Sequence, residues 1–301
     1  MRGIRKLNTG KLGTILTTCA LLALVVMSVG CNKLKARDNL NKGVNAFKSG
    51  QYTAAADDFK TAIDLDPDLP SARLYLATAY MTQFVPGSEA PDNIRNRDSA
   101  LHEFQTSLNS NLDNKNKLLA MQSLANLYYN MKDYTQAEDW NKKVIAADPK
   151  NKEAYYTLGV IAWSQFVPSW REARSTQGIK PEDPGPLKDA KPAPKGKKAA
   201  AAEPDLKADL KAKYWQKLTD GIEDEKKALE IDPEYENAMA YMNLLIREKA
   251  DLDDTPEQYK TDTDTADKWV QKALDTKKMK AKKAADAAAA SGAGVQAEES
   301  K

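Results

Sequence analysis

The chemistry open to this 301-residue chain is narrow, because it holds one histidine, His102, and two cysteines, Cys19 and Cys31. A Ser-His-Asp or Cys-His relay needs a base beside its nucleophile and a third group to orient that base. A single histidine at an exposed position of a helical stretch does not build one. Two cysteines exclude a disulfide framework and a zinc cluster alike. Carboxylates are plentiful, yet a glycosidase needs two of them at a set separation across a cleft, and scatter along polar helix faces supplies no such geometry. The stretch DLDDTPEQYKTD (251–262) looks at first like a calcium loop. Its sixth position is Pro256, where an EF-hand loop needs glycine for the sharp turn. It reads better as a turn before a helix capped at Asp264 or Thr265. A Gly-rich phosphate loop is missing. The expectation is therefore a protein without catalysis, metal or cofactor.

Cys31 is the side chain with a covalent role in reach. Before it stand a basic start (Arg2, Arg5, Lys6, Lys11, no acid) and an apolar run, LGTILTTCALLALVVMSVG. That order describes an export signal. The strongly apolar core, 20–27, is too short to cross a bilayer of ~30 Å by itself. The end, SVGC, resembles the lipobox of bacterial lipoproteins: Gly30 precedes the cysteine, and Ser28 stands where leucine is usual. The resemblance implies removal of residues 1–30, lipidation of Cys31, a tether over 31–35 and a place in the cell envelope. More than one acyl chain gives stable anchoring. An uncleaved anchor helix and an ordinary secretory cleavage stay open as alternatives. Asn32 lacks the aspartate signal that holds enteric lipoproteins in the inner membrane, which points to the outer membrane facing the periplasm. Loss of the four basic residues of the signal takes the formal charge from +2 to a slightly negative value. A basic nucleic-acid binder is then excluded by charge and by location.

The elements behind these residues are set by an internal repeat. DPDLPSA (66–72), DPKNKEA (148–154) and DPEYENA (232–238) each read Asp-Pro, four residues, Ala. Each follows a helical pattern, and proline ends that helix because it lacks an amide hydrogen and crowds the turn before it. Small residues recur as well. From 36 to 69 they are Gly43, Ala55 and Ala62, interleaved with Tyr52 and Phe59; from 118 to 151 they are Ala125 and Ala137, with Tyr128 and Tyr134. These spacings resemble the tetratricopeptide repeat, two antiparallel helices in 34 residues. The resemblance implies an all-α fold, an α-solenoid of about five helix pairs over 36–275. The units run 36–69, 70–111, 118–151, 152–235 and 236–275. Units 2, 4 and 5 are too long between helix A and helix B, by 11, 50 and 11 residues. The longest insert, 169–212, is rich in Pro, Lys and Ala and is expected to be mobile, with helix returning from about Leu206. Residues 276–301 form a low-complexity tail expected to extend the last helix.

In this family, the inner groove is lined by helix A and commonly holds a partner peptide. Carried over position by position, the groove candidates are Phe47, Met81, Asn126, Tyr129, Tyr156, Val160 and Trp163. Large apolar side chains exposed together mark a partner site; packed between helices, the same residues are core. The tetrapeptide QFVP occurs at 83–86 and again at 165–168. Val85 and Val167 precede proline, which disfavours helix there, so each copy is expected to end a helix A and open an oversized turn. Phe84, Phe166 and Trp170 are the candidates at those loop rims. The functional expectation is a lipid-anchored scaffold with a protein or peptide partner. The alternative is a binder of cell-wall glycan, or a regulator of a wall enzyme, that uses the long insert.

Overall fold

The computed structural model describes residues 31–180, 183, 185–190 and 205–298. The export-signal expectation falls on residues 1–30 and lies outside the described residues. Ten helices and no strand make up the described chain. They are α1 (31–48), α2 (Tyr52–Leu65), α3 (Pro70–Gln83), α4 (Pro91–Leu108), α5 (Asn114–Asn130), α6 (Tyr134–Ala147), α7 (Lys152–Thr176), α8 (Leu206–Ile231), α9 (Glu236–Ala250) and α10 (Pro256–Glu298). The fold is an all-α, TPR-like helical repeat.

The Asp-Pro turns are built alike. Asp66, Asp148 and Asp232 leave the helix with φ of −146°, −140° and −133°, as a residue before proline must. Each donates its N–H to the carbonyl four residues back: Ala62 (3.0 Å), Val144 (2.8 Å) and Ala228 (2.9 Å). Each then accepts from the residue three ahead, Leu69, Asn151 or Tyr235, at 3.0, 3.0 and 3.1 Å. The turns from α1 to α2 and from α5 to α6 instead carry a left-handed residue, Gly50 (φ 76°) and Lys132 (φ 60°).

Two compact units divide the chain at Met131. In the first, α1, α2 and α3 pack around Ala55, Phe59, Ala62, Ala72, Leu76 and Ala79, α4 packs on α3, and α5 packs on α4. Gly43 is required by contact, since a Cβ there would lie 2.5 Å from the Phe59 ring. The second unit, α6 to α10, has two apolar clusters. One holds Ala162, Phe166, Leu187, Leu210, Leu218 and Leu245; the other holds Ala228, Met239, Met242, Ile246 and Ala266. Gly221 lets α7 and α8 close up, because a Cβ there would meet the Ala162 Cβ at 2.8 Å.

The two QFVP copies differ, which corrects the expectation of two matching turns. The first ends α3 at Gln83, and Pro86-Gly87 turns with Gly87 at φ 79°. Asn93 of α4 pins that loop. It accepts from Val85 N–H at 2.7 Å and donates Nδ2 to the carbonyls of Val85 (2.9 Å) and Ser88 (2.8 Å). At the second copy, Pro168 lies inside α7, which runs on to Thr176. Proline removes one ladder bond, but the residues after it decide the outcome. They are Ser-Trp-Arg-Glu-Ala-Arg, with Trp170, Ala173 and Arg174 packed on the second unit and no glycine to reverse the chain.

The insert also differs from a mobile 169–212. Residues 169–176 continue α7, and α8 begins at Leu206, with Asp205 accepting from Ala208 N–H at 3.0 Å. Residues 181, 182, 184 and 191–204 lie outside the described residues. The last helix starts earlier than expected. Thr255, not Asp264 or Thr265, caps α10 by accepting from Gln258 N–H at 3.2 Å. The extra residues of unit 5 therefore lengthen a helix and do not form a loop. The tail extends α10, whose side chains stay anchored as far as Lys283. Thr276 is buried, Lys280 donates to Glu234 O (2.6 Å) and pairs with Glu236 (2.7 Å), and Lys283 pairs with Glu234 (3.1 Å).

Candidate partner-binding face and its supports

The helix A residues of each unit form separate faces. In the first unit, Phe47 is half-buried and packs edge-on to Tyr52, with ring centroids 5.1 Å apart. Met81, Phe84 and Tyr129 are half-buried, and Asn126 is exposed with its Oδ1 accepting from Asn130 Nδ2 at 2.8 Å. That bond does not use the Asn126 amide hydrogens.

In the second unit, the aromatic side chains of α7 and α9 meet. Trp163 packs on Tyr241 (5.6 Å), Tyr241 on Tyr156 (5.4 Å) and Tyr156 on Tyr235 (5.3 Å), all edge to face. Such pairs gain about 0.5–1.5 kcal/mol each beyond the area they bury. All four remain half-buried, so the ladder presents apolar edges to solvent. Lys152 lies 4.7 Å from the Tyr235 ring centroid and pairs with Asp232 at 2.6 Å, giving the end of the ladder a charged border. Tyr235 and Tyr241 were not among the sequence candidates; their place after the Asp-Pro turn between α8 and α9 carried no signal without the packing partner on α7.

Two other candidates have no free surface. Val160 is 6 % exposed and Phe166 is fully buried, 5.4 Å from the Tyr214 ring. Both are core of the second unit and do not reach a partner. The reason is the close approach of α7 and α8 at Gly159 and Gly221, which draws this stretch of α7 inward. Trp170 is half-buried and has an internal task. Its indole N–H donates to Asp251 Oδ2 at 2.7 Å.

That bond is part of a buried hub. Arg174 reaches the same oxygen at 2.7 Å, and the pair is 3 % and 6 % exposed at the side chains. The guanidinium also donates to the carbonyls of Lys180 (3.1 Å), Asp183 (2.7 Å) and Gly185 (3.0 Å). Gly185 N–H in turn donates to the Tyr259 hydroxyl at 3.0 Å. One arginine thus fastens the described part of the insert to α7 and α9. Burial pushes the Asp251 carboxyl above its usual range, with Trp170 and Arg174 pulling the other way. Glu248, beside the ladder on α9, is pushed up to about 7 by burial, opposed by the nearby Trp163 indole and by Arg171. Its Oε2 and the Trp163 Nε1 are both buried and fall short of hydrogen-bond geometry.

Glu225 of α8 is fully buried with neither carboxylate oxygen bonded. It sits three residues before Ala228, as Phe59 sits three before Ala62, and its carboxylate faces Gly159 as the Phe59 ring faces Gly43. A carboxyl thus occupies the place of an aromatic ring. Burial, with Asp224 adding to it, pushes Glu225 up to about 10. His102 is exposed on α4, and among the described residues no group of three His, Cys, Asp or Glu side chains could hold a metal. Cys31 is an exposed free thiol, and no helix among the described residues is long and apolar enough to cross a membrane.

Comparison with known proteins agrees with this architecture. A family model described as a TPR repeat matches residues 46–83, and one described as a tetratricopeptide repeat matches 119–151. No curated protein matches the chain. Among solved structures, a MamA protein aligns with a TM-score of 0.50 at 17 % identity, covering 82 % of this chain and 94 % of that one. MamA residues 41–end from Desulfovibrio magneticus RS-1 aligns with a TM-score of 0.50 at 17 % identity, covering 81 % and 96 %. At that identity the likeness concerns the fold alone. Two segments matched by repeat models, with paired helices and Asp-Pro turns through the described residues, show the fold to be a tetratricopeptide-like helical repeat.

Proposed function

We propose that the protein is a non-enzymatic scaffold of the bacterial envelope, anchored by lipid at Cys31, that holds a partner polypeptide on its helix A faces. The observation that carries the binding part is the Trp163–Tyr241–Tyr156–Tyr235 ladder, four aromatic rings half-exposed side by side. Rigid aromatic edges give contact area with little side-chain entropy to lose, and such residues dominate binding sites. Asn126, Phe47, Met81 and Tyr129 are the corresponding contacts in the first unit. The anchoring part rests on the SVGC sequence and its basic, apolar leader.

Crosslinking in cells followed by recovery of the protein tests the binding part. Trp163→Ala with Tyr241→Ala should lose a polypeptide that the wild type retains, at unchanged thermal stability of the first unit. Recovery on purified wall material with no protein partner would move the assignment to the glycan alternative. The anchoring part is tested apart: Cys31→Ser should leave a soluble or unprocessed protein, and a variant that still fractionates with membranes at the mature size would sink it.

A further inference from the structure

A cleft of about 710 Å³, lined by no residue of the aromatic ladder, opens on the second unit between the turn from α9 to α10 and the loop that Arg174 fastens. That loop is well built. Gly178 (φ 68°) and Gly185 (φ 115°) turn it, and Gln177 and Lys188 exchange two bonds of 2.8 Å across its base. Four carboxylates line the cleft, and three of them are engaged. Asp189 pairs with Lys207 at 2.9 Å, Asp254 pairs with Lys211 at 2.5 Å, and Asp183 accepts from Lys180 N–H at 3.1 Å. The fourth is Asp253. It is 6 % exposed, and its Oδ2 is buried with no hydrogen-bond partner among the described residues. The other lysine near it, Lys249, is turned to Asp262 (3.4 Å) and to the Trp215 ring (3.8 Å).

A buried carboxylate oxygen without a partner is costly, and burial with Asp262 beside it pushes Asp253 up to about 6. Lys188 also lines the cleft, but its side chain is exposed, and among the described residues Asp253 Oδ2 is left without a cation in hydrogen-bond reach. Ile179, Pro186, Leu187 and Pro256 add apolar wall beside Lys188 and Thr255. An apolar stem ending in one positive charge is the shape of a lysine or arginine side chain, which buries its methylenes and keeps its head polar. A polyamine brings several charges to a single vacant counter-ion, and a metal ion would need more oxygen ligands than one free carboxylate offers. We propose that this cleft receives a lysine or arginine side chain of a partner polypeptide, with Asp253 as its counter-ion. The proposal rests on the reading of the chain as a polypeptide-holding scaffold and adds to it a preference for a basic residue.

The test is a titration of the full chain, followed by amide resonances, with a blocked Gly-Lys-Gly peptide and its norleucine counterpart, which keeps the stem and lacks the charge. The lysine peptide should move Gly178, Ile179, Leu187 and residues 253–255, and the norleucine peptide should not. Asp253→Asn should weaken binding roughly tenfold or more, the usual scale for a hydrogen bond to a charged group. Asp189→Asn, whose carboxylate is exposed and already paired, should leave it unchanged. Equal shifts with both peptides, or wild-type binding by Asp253→Asn, would overturn the proposal. Spermidine moving these resonances while the lysine peptide leaves them still would overturn the assignment to a polypeptide. Comparing the two peptides on the wild type needs no variant to fold. Cleft shifts that persist in Trp163→Ala with Tyr241→Ala, in a protein that has lost its partner, would support this site independently of the ladder.

Discussion

Replacing Glu225 by Met should stabilise the second unit, by an amount that grows with pH. In the folded chain this carboxyl is fully buried and protonated, with its pKa at about 10; in the unfolded chain it returns to the ordinary 4.5. A folded-state pKa above the unfolded one favours folding below the lower value and is progressively lost as pH rises through the window. The loss runs at about 1.4 kcal/mol per pH unit between pH 4.5 and pH 10. At pH 7 the penalty is about 3 kcal/mol. Methionine matches the length of glutamate, suits an irregular gap, and removes both the ionisation penalty and two unbonded oxygens. Urea unfolding of wild type and variant, followed by helical ellipticity at pH 5 and pH 8, isolates the effect. The difference between the two proteins should widen by about 4 kcal/mol between those pH values. Other buried acids titrate in both proteins and cancel in that difference. A gap equal at the two pH values, or a variant less stable at both, would refute the placement of Glu225 as an unpaired buried acid.

Arg174→Ala leaves Asp251 buried without its cation and releases the carbonyls of Lys180, Asp183 and Gly185; a loss of about 3–5 kcal/mol and fast hydrogen exchange over 179–187 are expected in exchange mass spectrometry. Lys132→Gly removes a side chain from a left-handed residue at φ 60° and should raise stability by about 1 kcal/mol, read as a higher denaturation midpoint. The Trp163 indole resonance should titrate near pH 7 as Glu248 ionises beside it, and Glu248→Gln should flatten that titration.

The repeat was legible because its signals are local. Asp-Pro fixes backbone angles wherever it occurs, and Gly43 with Phe59 sits at the family spacing because one ring fills one vacancy. The start of α8 near Leu206 was legible too, as the return of helix-forming residues after a Pro-rich stretch. The illegible features depended on partners far along the chain. Trp170 and Arg174 find Asp251 some eighty residues away, and only that meeting turns the start of the insert into helix and anchored loop. Pro168 misled for the same reason, since tertiary contacts of the residues after it outweighed a local rule. Val160 looked like a groove residue by register and Phe166 like a rim residue beside a turn, but neither register nor the QFVP motif reports how closely α7 and α8 approach. The Glu225 substitution was visible in principle. Aligning Gly159 and Ala228 on Gly43 and Ala62 puts a carboxylate where the first unit has a ring.

Arg174 and the Gln177–Lys188 bonds hold the described start of the insert, while the Asp205 cap holds its end at α8. Each flank is thus clasped by bonds of its own, and undoing one clasp would loosen one flank while leaving the other seated.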